Sequence, residues 1–409
     1  MTDSRQMVVL GRAFDGFERS FTAQLAAVPE LPARHELVEI SELEHRVVGG
    51  GTATPSGDND LLLLITDWLP ALIEQGALLP LDDAFAAEAP EGWPDAWAPA
   101  LRELQLGPDG RTYGVAYHDG PIMCLYRTDL YADPDEQAGF AEKFGYPLAP
   151  PATWTQMRDQ AVWFTRPGDG LWGTILAGYP DEHNNVYDFL TQLWSRGGDL
   201  VTDGRSGLDS RQARDAIAFM DDLWHGVKVV DPAAAGWDSV QSGVHFANGE
   251  AAMMVNWCGF ASVSADPESP THGKVGCAPV PAHDGDGGTA VTMNAYWVLA
   301  VPAGATDPDR SIELLRRLTT HDMDVVTAVS GGSATRRDSW ADADVQALAP
   351  YYDQLESAHR GSRSVPVDPR WPAMAGILNE MMRAVVEDGA GFAALDKAHA
   401  ELDALLAAG

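Results

Sequence analysis

Asp60-Leu-Leu-Leu-Leu-Ile-Thr-Asp-Trp-Leu-Pro-Ala-Leu-Ile-Glu-Gln-Gly-Ala-Leu-Leu-Pro-Leu-Asp82 opens on a continuous apolar run, the pattern of a strand buried on both faces in a parallel sheet. Upstream, Met7–Leu10 reads as another short buried strand. The helix that follows it carries Phe14, Phe17, Phe21 and Leu25 at spacings of three and four. His35–Ser41 alternates well enough for a further strand. Strand, helix, strand and strand in this order predict an α/β lobe with a mostly parallel sheet.

Downstream, Tyr113–Tyr117 and Ile122–Tyr126 read as strands, and Pro147, Pro150 and Pro151 as a loop. Thr153 with Gln156 forms a capping box ahead of a stripe made by Trp154, Met157, Ala161 and Phe164. Ser210 caps a helix with Ala213, Ile217, Met220 and Trp224 on one face. The turn from His283 to Gly288 precedes a strand at Ala295–Pro302. Asp307-Pro308 starts another helix, and the tail from Pro372 is helical, with Met374, Ile377, Met381 and Val385 on one side. The chain has 409 residues, more than one core usually holds, so two domains are expected.

The net charge of −33, with 27 Lys and Arg against 60 Asp and Glu, argues against nucleic acid and against a polybasic membrane-surface mode. Cys124, Cys258 and Cys277 show neither C-x-x-C spacing nor a nearby His, so they are expected as small buried hydrophobes. Cys258 with Cys277 could close a disulfide in an oxidising compartment. The longest aliphatic run, Leu61 to Ile65, falls far short of the ~20 apolar residues of a membrane span. Met1 to Gly11 has too short an apolar stretch for a signal-peptide core, which leaves open a cytosolic protein or one whose export segment has been removed.

Several chemistries are absent. The chain has no P-loop, no H-E-x-x-H and no G-x-S-x-G. Gly49-Gly50-Gly51 lacks dinucleotide spacing, and Asp284-Gly285-Asp286-Gly287-Gly288 lacks the distal Glu of a calcium loop; both read as turns. No cofactor or metal is expected.

What stands out is aromatic residues beside polar ones at element ends. They are Asp67-Trp68, Tyr117-His118-Asp119-Gly120, Asn256-Trp257, Asn294-Ala295-Tyr296-Trp297 and Arg370-Trp371. Any one Trp is as readily a core residue, but the combination recurs five times. Ligands of open α/β sheets bind at the carboxyl ends of strands. Flat apolar rings with in-plane donors and acceptors suit a sugar ring. Phe14 and Asp15, after the first strand, join the candidates. So do Arg336, and His183 and Tyr187 before the Gly197-Gly198 turn.

At these residues the chain resembles the extracellular solute-binding proteins, the sugar-capturing components of ABC importers of the maltose-binding-protein type. Residues 60–82 resemble their strand, helix and "G-x-L-x-P-L-D". Tyr113-Gly-Val-Ala-Tyr117 with Tyr126-Arg-Thr-Asp-Leu130 resembles the crossover into their second lobe. Pro151-Ala-Thr-Trp154, Gly197-Gly-Asp-Leu200 and Phe246-Ala-Asn-Gly-Glu-Ala-Ala-Met253 follow in the family's order. Gly331-Gly-Ser-Ala-Thr-Arg336 resembles "G-G-x-P-T-R", departing at Ala334.

The resemblance implies a two-lobed periplasmic-binding-protein-like fold with hinge crossovers near 113–117, 256–260 and 297–303 and a ligand cleft between lobes. The lobes are expected as 1–113 with 260–298, and 114–259 with 299–409. It further implies a non-catalytic, extracytoplasmic monomer whose partners are a sugar or sugar derivative and the membrane permease of an ABC importer. Two other readings stay open: a carbohydrate-active enzyme with a carboxylate pair near Asp67 and Asp119, and a binder of a non-sugar molecule such as a polyamine or metal complex. His118, Arg336 and Arg370 also leave room for an anionic sugar.

Overall fold

Leu61–Ile65 is a strand with all five residues buried. Asp60, 1% exposed at its start, accepts two hydrogen bonds from Arg5 and one from the Val8 backbone N–H at 2.8 Å. A buried carboxylate is tolerable only with such partners. The computed structural model describes residues 5–49, 57–285 and 287–408. Met1–Ser4, Gly50, Gly51 and Asp286 lie outside them, so the stretch Met1 to Gly11 and the two glycine turns are described only in part.

Strands β1 (Met7–Arg12), β2 (Ala33–Val38), β3 (Leu61–Ile65), β4 (Val115–His118), β5 (Ile122–Arg127), β6 (Trp172–Ile175), β7 (Ala251–Trp257), β8 (Val275–Ala278) and β9 (Trp297–Ala300) make two sheets. The first has the order β2-β1-β3-β9-β4, the second β8-β5-β7-β6. In the first, β1 pairs in parallel with β2 and β3, as the apolar runs suggest. β9 is antiparallel to both β3 and β4, so four strands of the sheet run one way, as expected, and β9 alone runs against them. The second sheet is mixed, with β6 parallel to β7 and the other pairs antiparallel.

The chain divides into two compact units. One holds 1–121, 294–360 and 364–371; the other holds 122–293, 361–363 and 372–409. This corrects the expected boundaries. Residues 260–293 belong with the second unit because β8 pairs with β5, and 299–360 belong with the first because β9 completes its sheet. The chain passes between units at 121/122, 293/294, 360/361, 363/364 and 371/372. Of the expected crossovers, 113–117 and 297–303 lie inside the first unit, a few residues from the passages at 121/122 and 293/294, and 256–260 lies wholly inside the second.

Other readings differ locally. The strand expected over 35–41 stops at Val38, because Ile40, Leu43 and Val47 are buried at helical spacing in the helix Ile40–Val47. Thr153 accepts from the Gln156 N–H, but Gln156 Oε1 accepts from Ala152, so the box closes on one side only. Cys124 and Cys258 are buried as expected; Cys277 is partly exposed, because β8 is an edge strand. Among the described residues no helix is long and apolar enough to cross a membrane, and no group of three His, Cys, Asp or Glu is placed to hold a metal ion.

Candidate functional site

In the first unit, β1, β3 and β4 all end at the edge of the sheet where β9 begins, since β9 runs against β3 and β4. That geometry gathers side chains from four distant stretches. Phe14 and the exposed Asp15 start the helix Asp15–Ala27 directly after β1. Phe14 lies 6.3 Å from the His118 ring, and Phe17 meets that ring edge-on at 4.9 Å. Phe17 also packs on Trp297 at 5.7 Å, and Trp68 meets Trp297 edge-on at 6.2 Å. The Arg12 guanidinium sits 6.0 Å over the same indole. Asp67 and Trp68 occupy the turn Thr66–Trp68 that caps β3. Trp371 Nε1 donates to Asp67 Oδ2 at 3.0 Å, joining two candidates 304 residues apart.

His118 Nδ1 accepts from the Ser333 N–H at 2.8 Å, which leaves the proton of the neutral ring on Nε2. Burial pushes this histidine down to about 4, so it is neutral at pH 7. The loop Ser330–Arg336 comes this close because it carries glycines. Gly331 has φ +91°, and a Cβ on Gly332 would lie 2.7 Å from Thr327 Cγ2. Asp119 is 1% exposed and pairs with His359 Nε2 at 2.7 Å. Burial alone would push His359 down, but the Asp119 charge and hydrogen bond outweigh it and raise it.

Other candidates are committed to the interior of the first unit. Tyr117 stacks on Phe21 at 4.8 Å and donates to Gln24 Oε1 at 2.8 Å. Tyr296 is 1% exposed and donates to the Leu101 carbonyl. Arg336 is buried over Trp97, donating to the Glu91 and Thr319 carbonyls and to Asp338. The polar atoms expected to read a ligand are in these three residues already engaged. Arg370 holds Asp368 with two guanidinium nitrogens, at 3.0 and 2.8 Å. Asn294 donates to the Ala100 carbonyl and, with Asp67, lines a cavity of about 20 Å³.

In the second unit, β7 and the helix Asn184–Ser195 build a closed polar network. Asn256 Oδ1 accepts from Asn184 Nδ2 at 3.1 Å and from the Trp257 N–H at 2.8 Å. Asn184 Oδ1 in turn accepts from Trp257 Nε1 at 2.8 Å. Tyr187 meets Trp257 edge-on at 5.7 Å, and His183 meets Tyr187 at 5.9 Å. Trp257 is partly exposed, whereas Asn184, Asn256 and Tyr187 are buried. The loop before the helix is strained, with Glu182 at φ +64°. Asp181 Oδ1 accepts from the His183 and Asn184 N–H groups, and Asn379 accepts from the Glu182 N–H and from Asn185. A non-glycine residue held at positive φ by several partners is typical of ligand-contacting loops.

Arg12, Asn184, Ser333 and His359 were not singled out from the sequence, whereas Trp297 belongs to the cluster that opens at Asn294. Asn184 had a signal, lying between the candidates His183 and Tyr187. The others act through partners far away in the chain.

A family model described as bacterial extracellular solute-binding protein matches residues 48–324. A probable ABC transporter-binding protein of Deinococcus radiodurans is 27% identical over 308 residues, 73% of this chain and 68% of that one. Among solved structures, maltose-bound T. maritima MalE3 is 24% identical with a TM-score of 0.84, covering 98% of this chain and 99% of that one. A solute-binding protein of an ABC transporter from Agrobacterium radiobacter K84, in complex with ribitol, is 21% identical with a TM-score of 0.85 and the same coverage. These likenesses show the periplasmic-binding-protein-like α/β fold. With the family match spanning well over half of its residues, this chain belongs to the bacterial extracellular solute-binding proteins.

Proposed function

We propose that this solute-binding protein captures an uncharged sugar or polyol outside the cytoplasm, closes its two units on it by hinge motion, and hands it unchanged to the permease of an ABC importer. The carrying observation is the Asn184–Asn256–Trp257 network, which fixes a partly exposed indole beside two amides. An immobilised ring gives a sugar face something to stack on at little entropic cost. In the first unit Phe14, Asp15 and His118 supply the complementary apolar and polar surface.

Neutrality of the ligand is supported by charge. Arg370 is tied to Asp368 and Arg336 to Asp338, while His118 is neutral at pH 7. An anion would have to compete with these carboxylates. Maltose and ribitol, held by two of the fold's relatives, are both uncharged. Against catalysis stands Asp119, one of the two carboxylates an enzyme would use, which is enclosed with His359. The protein acts as a monomer, with no cofactor and no nucleic acid in the scheme.

A thermal-shift panel of neutral mono- and disaccharides, polyols and acidic sugars tests this, because a ligand bound only by the folded state raises the melting temperature. Neutral compounds should give the largest shifts, and mass spectrometry after incubation should return them intact. A shift confined to acidic sugars, or any cleavage product, refutes the proposal.

A further inference from the structure

In the first unit the helix Leu355–Arg360 packs on the helix Pro99–Glu103. Between them lies a pocket of about 560 Å³, within the range of small-molecule sites. Ala98, Pro99, Ala100 and Leu106 give it an apolar wall, and Leu106 is 38% exposed there. Two guanidiniums, Arg102 and Arg360, line it as well.

Most arginines of this acidic chain hold a carboxylate. Among the described residues Arg102 and Arg360, like Arg19, Arg196 and Arg310, do not. Arg102 lies 5.7 Å over the Trp93 ring, and its Nε is buried with no hydrogen-bond partner. Stacking occupies a guanidinium's face and leaves its edge donors available, and a buried donor without an acceptor is a costly arrangement that a ligand oxygen would relieve. Arg360 spends only Nε, on the Glu356 carbonyl at 3.3 Å, and its side chain is exposed. Two carboxylates also line the pocket. Glu356 is engaged by Arg337 at 3.1 Å, and the exposed Glu103 follows Arg102 in the helix. They set an upper limit on the negative charge that the pocket accepts.

We propose that this pocket is a second binding site, for a small monocarboxylate with a flat apolar body, its carboxylate held by Arg102 and Arg360 and its body against the Ala98–Ala100 and Leu106 wall. A carboxylate matches the planar fork of a guanidinium, and the apolar wall distinguishes an aromatic acid from acetate. The site uses none of the residues proposed to hold the sugar and stands independently of that reading.

Benzoate is the probe, titrated into the full chain while the arginine Nε–H resonances are followed by NMR. Saturable binding below about 10 mM is expected, with the Arg102 Nε–H resonance moving. Acetate and benzyl alcohol, each lacking one half of the ligand, should bind at least about tenfold more weakly. Arg360→Gln lies at an exposed position and should melt like the parent, yet weaken benzoate about tenfold. Arg102→Gln should do the same where it folds. Benzoate that fails to saturate, or that binds Arg360→Gln as tightly as the parent, overturns the proposal.

Discussion

Trp257 is held at its indole N–H by Asn184 and at its ring edge by Tyr187, while part of the ring stays exposed. Stacking on a sugar face contributes on the order of 1–3 kcal/mol. Trp257→Ala should therefore weaken the best ligand of the panel roughly 5- to 150-fold by calorimetric titration. A large fall in melting temperature with unchanged affinity would assign the ring to the core instead. Two histidines in the first unit act on stability with opposite signs. His118 titrates at about 4 when folded and near 6.5 when unfolded. The unfolded chain thus takes up the proton first, and this stability is complete above pH ~6.5 and lost toward pH 4, on the order of 3 kcal/mol. His359 is raised by Asp119, so its contribution is complete below pH ~6.5 and is lost as pH rises through its folded value. Denaturant midpoints between pH 4.5 and 8.5 should show His118→Gln flattening the acid limb and Asp119→Asn flattening the alkaline limb. Curves parallel to the parent in both variants would show that these groups do not set the profile.

At the scale of elements, β6 lies against the helix Trp154–Phe164 so closely that a Cβ on Gly173 would stand 1.9 Å from the Ala161 carbonyl oxygen. Backbone on both sides cannot give way. Gly173→Ala should cost more than about 3 kcal/mol, seen as a collapse in soluble yield or melting temperature, in contrast to Gly168→Ala, where nothing lies within 4 Å. A variant that melts like the parent would show that the two elements can part. The local part of this architecture was legible in the sequence. Asp60–Ile65 announced a buried strand, and Ser210 caps its helix through the Ala213 N–H as read. Asn256-Trp257 was visible too, because both residues end one apolar run. Partners brought in by tertiary packing were not. Nothing near Tyr117 points to Gln24, nothing near Trp371 points to Asp67, and Ile65 gives no sign that its neighbour is Trp297. Each pairing is selected by packing between stretches 93 to 304 residues apart, to which local periodicity is blind. The misplaced lobe boundaries have the same origin.

For the whole molecule, the five chain passages between the units are where bending on ligand capture is expected, since hinges are a few loop residues that absorb the change. Small-angle scattering should show a smaller radius of gyration at saturating ligand. An unchanged radius in a sample shown to be saturated counts against closure. One of these passages has a consequence for how the protein is made. β9 sits between β3 and β4 in the first sheet, yet it follows β4 by about 180 residues. A ribosome adding 5–20 residues per second therefore leaves β3 and β4 without their shared neighbour for on the order of 10–40 s. During that interval two apolar strand edges stand open to other chains, the arrangement that invites aggregation. Newborn copies of this protein are therefore expected to be most prone to aggregation in that window, and the first unit can finish folding only after residues 122–293 of the second have been synthesised.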